Sequence, residues 1–154
     1  MEMPPEIETK PTFFVDAMLG NFAKKLRLMG FDSKYDSQII DDDLINLAMK
    51  ENRIIVSRDS DLIRKSLSFG IKSILLQNKE EHDQLFEIIK NLNLKKVEIN
   101  GDNARCPVCN SETEFVKKEL VSNRIPRKVL EINEKFWNCE NCRKIFWEGS
   151  QVGS

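Results

Sequence analysis

A chain of 154 residues with 40% apolar residues can bury one full core plus a small appendage, and is too short for two ordinary domains. No apolar run approaches the roughly 20 residues of a membrane span, so no membrane partner is expected. The net charge of −1 favours no partner class by itself, although residues 1–102 carry 15 Lys/Arg against 18 Asp/Glu and residues 103–154 carry 9 against 7, an acidic excess first and a basic one last.

The opening MEMPPEIETKP has neither the basic start nor the apolar run of a signal peptide, which predicts a reducing, cytoplasmic setting. Residues 1–11 read as a flexible tail. "TFFVDA" is apolar, too short for a helix and rich in β-formers, so it predicts a buried strand ending at Asp16. Asn21 can cap a helix on which Phe22, Ala23, Leu26 and Met29 recur at helical spacing, with Gly30 as its stop. Phe31 to Tyr35 reads as a second strand. Asp41, Asp42 and Asp43 open a helix with Leu44, Leu47 and Ala48 on one face, and "NRIIVSRD" supplies a third strand ending at Ser57. A short helix through Leu62 and Ile63, a strand in "KSILL" and an amphipathic helix over "EEHDQLFEIIKNLNL" complete the alternation.

Strands alternating with helices of about ten residues predict a parallel sheet covered on both faces. Ligands of such sheets bind beyond the carboxyl ends of the strands. Asp16 leaves the first strand, Asp59 follows the third, and Asp41 opens a helix of the same connecting layer, so these acids are expected to converge. Crowded carboxylates repel one another unless a cation or shared protons intervene. Oxygen ligands favour Mg²⁺ or Mn²⁺, whose chemistry beside a phosphate is phosphodiester hydrolysis. Each acid also has a plainer reading: Asp41 and Asp59 as helix caps, Asp42, Asp43 and Asp61 as solvated first-turn acids. The lone histidine, His82, sits in an acidic opening turn and reads as solvated, and no Gly-rich phosphate loop is present.

Beyond residue 102, Cys106-x-x-Cys109 and Cys139-x-x-Cys142 are two knuckles whose four thiolates can close a tetrahedral Zn²⁺ site. Disulfides or a redox pair are the alternatives. A closed site offers no position for substrate, so the zinc here is expected to fold the segment and not to catalyse. Phe136, Trp137, Phe146 and Trp147 flank the second knuckle and read as ribbon core, with base stacking as the alternative. Lys117, Lys118, Arg124, Arg127 and Lys128 are the densest basic stretch and candidate RNA phosphate contacts, as are Arg58 and the helix bearing Lys24, Lys25 and Arg27.

"FFVDAMLGNFAKKLRLMGFD", "DDDLINLAMKENRIIVSRDSDL" and "RCPVCN…FWNCENCRKIFWEGS" together resemble the Mut-seven C-terminal ribonuclease (Mut7-C) family, in which a PIN-like nuclease domain is joined to a zinc ribbon. The resemblance runs from about Thr12 to Ser150. It implies an α/β, PIN-like domain over residues 12–102, a zinc ribbon over 103–150 and a tail over 151–154. It also implies a metal-dependent ribonuclease whose catalytic, Mg²⁺- or Mn²⁺-binding acids carry over to Asp16, Asp41, Asp59 and Asp61, the register within Asp41-Asp42-Asp43 being open. The expected partner is RNA. A non-catalytic RNA- or ribosome-associated module of the same fold is the alternative, and a small-molecule phosphohydrolase using the same acids a third.

Overall fold

The computed structural model describes residues 10–94 and 101–148. Its larger part is a four-stranded parallel sheet of β1 (Phe13–Val15), β2 (Ser33–Tyr35), β3 (Ile54–Ser57) and β4 (Ser73–Leu75) in the order β2-β1-β3-β4. Four helices connect or follow them: α1 (Gly20–Leu28), α2 (Asp41–Glu51), α3 (Ser60–Ser68) and α4 (Glu81–Asn91).

Strands this short hold because both faces are buried, which is why they read as continuous apolar runs. Phe13, Val15, Ile54, Val56 and Ile74 pack with Phe22, Leu26 and Ile88, placing α1 and α4 on one face. Phe14 and Ile55 point the other way, against Leu44, Ile45 and Ala48 of α2 and Leu62 and Ile63 of α3. The order reverses between β1 and β3, and so opens a crevice at their carboxyl ends.

Most expected elements stand, with shifted ends. The first helix begins at Gly20 behind Leu19, so Asn21 lies inside it, exposed, and caps nothing. Its stop is as expected. Gly30, at φ 91°, donates to the Arg27 carbonyl and Phe31 to the Leu26 carbonyl, a Schellman ending. A Cβ at Gly30 would also lie 2.6 Å from the Asn103 carbonyl oxygen, so only glycine admits this approach. Phe31 is not in the second strand: its ring meets Phe13 edge-on at 5.6 Å in the core, and pairing starts at Ser33.

The C-terminal part is an antiparallel sheet of β5 (Thr113–Val116), β6 (Phe136–Cys139) and β7 (Ile145–Trp147), with two short helices, α5 (Lys118–Val121) and α6 (Arg127–Ile132), between the first two strands. The pattern of the sequence had not suggested these helices. Phe136 is fully buried among Val121, Ile125, Ile145 and Trp147, and Trp137 is buried with its Nε1 donating to Asp102 at 3.0 Å. Core packing is thus the use of both; a Cβ on Gly101 would fall 2.2 Å from the Trp137 ring.

The small sheet is moored to the larger one. Arg27, read from sequence as a surface cation, is 6% exposed and donates to the Ser33 carbonyl at 2.8 Å and the Pro107 carbonyl at 2.9 Å. Asn110, left-handed at φ 71°, accepts from the Ser33 N–H at 2.9 Å and donates to Asp32 at 2.6 Å. Asn110 thereby satisfies a donor of edge strand β2 that would otherwise be open to pairing. Both tails and the Gly149-Ser150 end lie outside the described residues, apart from Lys10 and Pro11.

Candidate functional site

The four sulfurs of Cys106, Cys109, Cys139 and Cys142 all lie within 4.8 Å of one another. Cys106 and Cys142 are 3.7 Å apart and Cys109 and Cys139 are 3.4 Å apart, far beyond the bond of about 2.05 Å that a disulfide requires. Zinc–sulfur bonds of about 2.3 Å at tetrahedral angles put sulfurs about 3.8 Å apart, so the set fits a structural Zn²⁺. Burial pushes the free Cys106 and Cys139 thiols up, and a cation among them relieves that cost. The Arg27 guanidinium stands close enough to Cys106 and Cys109 to favour their thiolates.

A second cluster forms at the crevice between β1 and β3. The Asp16 N–H donates to the Val56 carbonyl at 3.0 Å, which fixes the chain as it leaves β1. Ser57, wholly buried at the end of β3, donates its hydroxyl to Asp16 Oδ2 at 2.7 Å and accepts from the Asp59 N–H at 2.9 Å. With its lone pair committed to Asp59, the Ser57 proton is directed at Asp16. Asp59 is the N-cap of α3: its Oδ1 accepts from the Asp61 N–H at 2.9 Å and the Leu62 N–H at 3.3 Å.

Asp41 completes the group from the first residue of α2. The cap position is Ile40, so the Asp41 carboxylate is not spent on capping. Its pKa is raised, first by partial desolvation and then by the Asp16 and Asp59 carboxylates, even though much of the residue faces solvent. Asp42 instead pairs with Lys65. Within Asp41-Asp42-Asp43, Asp41 is the acid whose pKa the Asp16 and Asp59 carboxylates raise.

The carboxylates repel, but among the described residues only the cysteines close to mutual distances within 4.8 Å. Asp61 turns away, its side chain 85% exposed and paired with Arg64 at 3.2 Å. His82 is exposed and stacks edge-on with Phe86 at 5.0 Å, a solvated helix residue as read. Arg58 is exposed beside Asp59. Of the basic stretch on α5 and α6, Lys118 pairs with Glu134 and Arg127 with Glu131, while Arg124 donates to the Arg143 carbonyl. Lys117 and Lys128 are exposed.

Ser57 was missed from sequence. Its signal was a serine two residues before Asp59 at a strand exit, the spacing at which a hydroxyl meets the second N–H onward.

A family model described as the Mut7-C RNAse domain matches residues 11–154. No curated protein matches the chain. Among the described residues no helix is long and apolar enough to cross a membrane.

Proposed function

This chain belongs to the Mut7-C RNAse domain family, and on that premise we propose that it is a ribonuclease that hydrolyses RNA phosphodiester bonds with a hard divalent cation held at Asp16, Asp41 and Asp59. The observation that carries this reading is the raised pKa of Asp41 opposite two carboxylates that Ser57 ties together at the strand-order reversal. Such repulsion is a standing cost to the fold that a cation offsets.

The donor set is all oxygen, which suits a hard ion that keeps several waters and takes only one or two carboxylates directly. Mg²⁺ or Mn²⁺ so held supplies neutralisation of charge on the phosphate oxygens and a bound water of lowered pKa. The chain's part is positioning. Ser57 occupies Oδ2 of Asp16 and leaves Oδ1 for the ion. The N-terminus of α3 fixes the Asp59 carboxylate through Oδ1, leaving Oδ2 for the ion. Asp41, unengaged in any cap, keeps both carboxylate oxygens for the ion, while Asp61 lies at the rim beside Arg64.

The ribbon, folded by zinc over residues 103–150, adds binding. Lys117, Lys128 and the free edge of the Arg124 guanidinium present positive charge to RNA backbone, with Arg58 doing the same at the acids. A cytoplasmic setting accords with four free thiols.

The decisive experiment incubates purified protein with labelled single-stranded and hairpin RNA in Mg²⁺ or Mn²⁺, beside Asp16→Asn. Cleavage by the parent that vanishes in the variant, with the melting temperature preserved, supports the reading. Failure to cleave with either ion, with equal RNA binding by both proteins, would leave the alternative of a non-catalytic RNA-binding module. The commitment of Asp59 to a helix cap is the feature that favours that alternative.

A further inference from the structure

Beside the acids, the carboxyl edge of the sheet opens into a cleft of about 470 Å³, within the range of roughly 300–1,000 Å³ common for ligand sites. Its walls are the residues next in sequence to the acids: Ala17 and Met18 follow Asp16, and Arg58 precedes Asp59. Tyr35, at the end of β2, and Lys79 and Gln84, at the entry to α4, complete it. A second cleft, of about 490 Å³, lies at the amino ends of the strands, where Arg53 and Glu51 are already paired with each other, and it is lined by none of the candidate acids.

The wall at α4 is held in place before anything binds. Glu87 accepts from the Gln77 N–H at 2.7 Å and the Asn78 N–H at 3.1 Å. Gln84 Nε2 donates to the Asn78 carbonyl at 2.9 Å and the Lys79 carbonyl at 3.5 Å. Both amide hydrogens of Gln84 are thus used on carbonyls, and the reversed amide would set oxygen against oxygen. Oε1 is left without a partner on a residue only 2% exposed. That oxygen is out of reach from the cleft, so what Gln84 gives the site is a wall already braced by its bonds to Asn78 and Lys79.

The rest of the lining describes the occupant. Arg58 and Lys79 bring two positive charges, and Lys79 has no acidic partner among the described residues. The acid of the lining, Glu81, is taken by Lys25 at 3.0 Å. The Tyr35 hydroxyl donates to the Ala17 carbonyl at 3.0 Å, so its ring is fixed. Met18, 87% exposed, stands as a polarisable apolar surface immediately after Asp16. Cations for a phosphate beside a thioether and a ring for a flat apolar body describe a nucleotide whose base is not paired.

We infer that this cleft seats the nucleotide next to the scissile phosphodiester of a single-stranded RNA. Arg58 and Lys79 take its backbone phosphate, and Met18 backs the base. The inference rests on the reading of Asp16, Asp41 and Asp59 as the cleavage site.

The full chain, with its zinc in place, is titrated into a fluorescein-labelled 12-residue single-stranded RNA and into the same RNA as a duplex, in buffer free of Mg²⁺ and Mn²⁺ so that nothing is cut, and cleavage is then followed in Mn²⁺. Lys79→Ala and Arg58→Ala should each weaken single-strand binding about tenfold and lower the salt slope by about one. They should raise KM while leaving kcat within about threefold. Met18→Ala, at a solvent-facing side chain, should narrow the preference for single strand over duplex. Lys50→Ala, on α2 away from the cleft, should match the parent. If the cleft variants bind and discriminate as the parent does, the inference is overturned even where the parent cuts RNA. If the parent cuts nothing yet the cleft variants lose single-strand binding, the cleft assignment stands and the nuclease reading alone falls.

Discussion

Arg27 on α1 and Pro107 in the first cysteine knuckle, 80 positions apart in sequence, are joined by a hydrogen bond of 2.9 Å from guanidinium to carbonyl. The same side chain donates to the Ser33 carbonyl, and the Arg27 carbonyl accepts from the Arg105 N–H at 2.7 Å. One buried residue thus ties the stop of a helix, the start of an edge strand and a metal knuckle together. Arg27→Ala leaves two carbonyls unpaired in a packed interface, and should cost about 2–4 kcal/mol. Arg27→Lys should recover little of this, because an ammonium cannot serve both carbonyls with the planar fork of arginine. Thermal melts of the three proteins check it; equal melting temperatures would refute it.

Zinc removal should therefore be felt beyond the ribbon. Both tryptophans of the chain, Trp137 and Trp147, lie in the small sheet, so their fluorescence reports the ribbon alone, while helical circular dichroism is weighted towards α1 to α4. On chelation the tryptophan signal should be lost first, and the helical signal should then melt several degrees lower, since Arg105, Pro107 and Asn110 no longer hold Arg27, Asp32 and Ser33. Unchanged melting of the helices would show that the mooring contributes nothing.

The mooring also carries a pH dependence. Burial alone would raise the pKa of Asp32, but hydrogen bonds from Arg53 and Asn110 outweigh it and hold the carboxyl below its usual range. A depressed native pKa gives stability that is present above the unfolded value of about 3.9 and is lost as pH falls through the lower native one. Acid should then loosen the ribbon from the sheet below about pH 4, and Asp32→Asn should flatten that part of the melting curve against pH.

The layered sheet was legible in sequence because each short apolar run has both faces buried, so local composition and tertiary role agree. The zinc set was legible because two knuckles have few other uses. What escaped depends on contacts between distant segments. Arg27 follows Leu26 on a helix and looks like any solvated cation until the knuckle docks over it. Of three consecutive aspartates, pattern cannot say that Asp42 pairs with Lys65 while Asp41 feels the Asp16 and Asp59 carboxylates. Gln84 is an ordinary helical residue by pattern, and only the packing of the loop at Asn78 and Lys79 leaves its oxygen alone. Asp59 caps α3 and also acts electrostatically on Asp41, a combination that composition could not have separated.

Ser57 tests whether the acids are held or merely near. Ser57→Ala removes one buried hydroxyl and two hydrogen bonds, a loss of about 1–2 kcal/mol. With Asp16 free to rotate, kcat should fall about tenfold or more while RNA binding without Mg²⁺ or Mn²⁺ is unchanged. Ser57→Thr keeps the hydroxyl and should restore part of the rate. If Ser57→Ala lowers stability but leaves kcat alone, the bond to Asp16 is structural only.

Asp41 should reveal its role through a gain. Its native pKa is raised, so the folded protein keeps that proton to higher pH than the unfolded chain does. Stability therefore declines as pH rises from the ordinary aspartate value of about 3.9 through the raised one, and the deficit is complete above it. Asp41→Asn abolishes the deficit, and in buffer free of Mg²⁺ and Mn²⁺ at neutral pH it should melt about 1–2 °C higher than the parent, a small effect because the site faces solvent. Millimolar Mg²⁺ or Mn²⁺ should raise the parent's melting temperature at pH 7, less as acid returns the proton to Asp41, and hardly that of Asp41→Asn at any pH. A variant that is more stable without the ion, indifferent to it and inactive on RNA is the signature of an acid kept under repulsion for a cation. A variant less stable than the parent in the ion-free buffer would instead mark Asp41 as an ordinary first-turn acid serving the helix dipole.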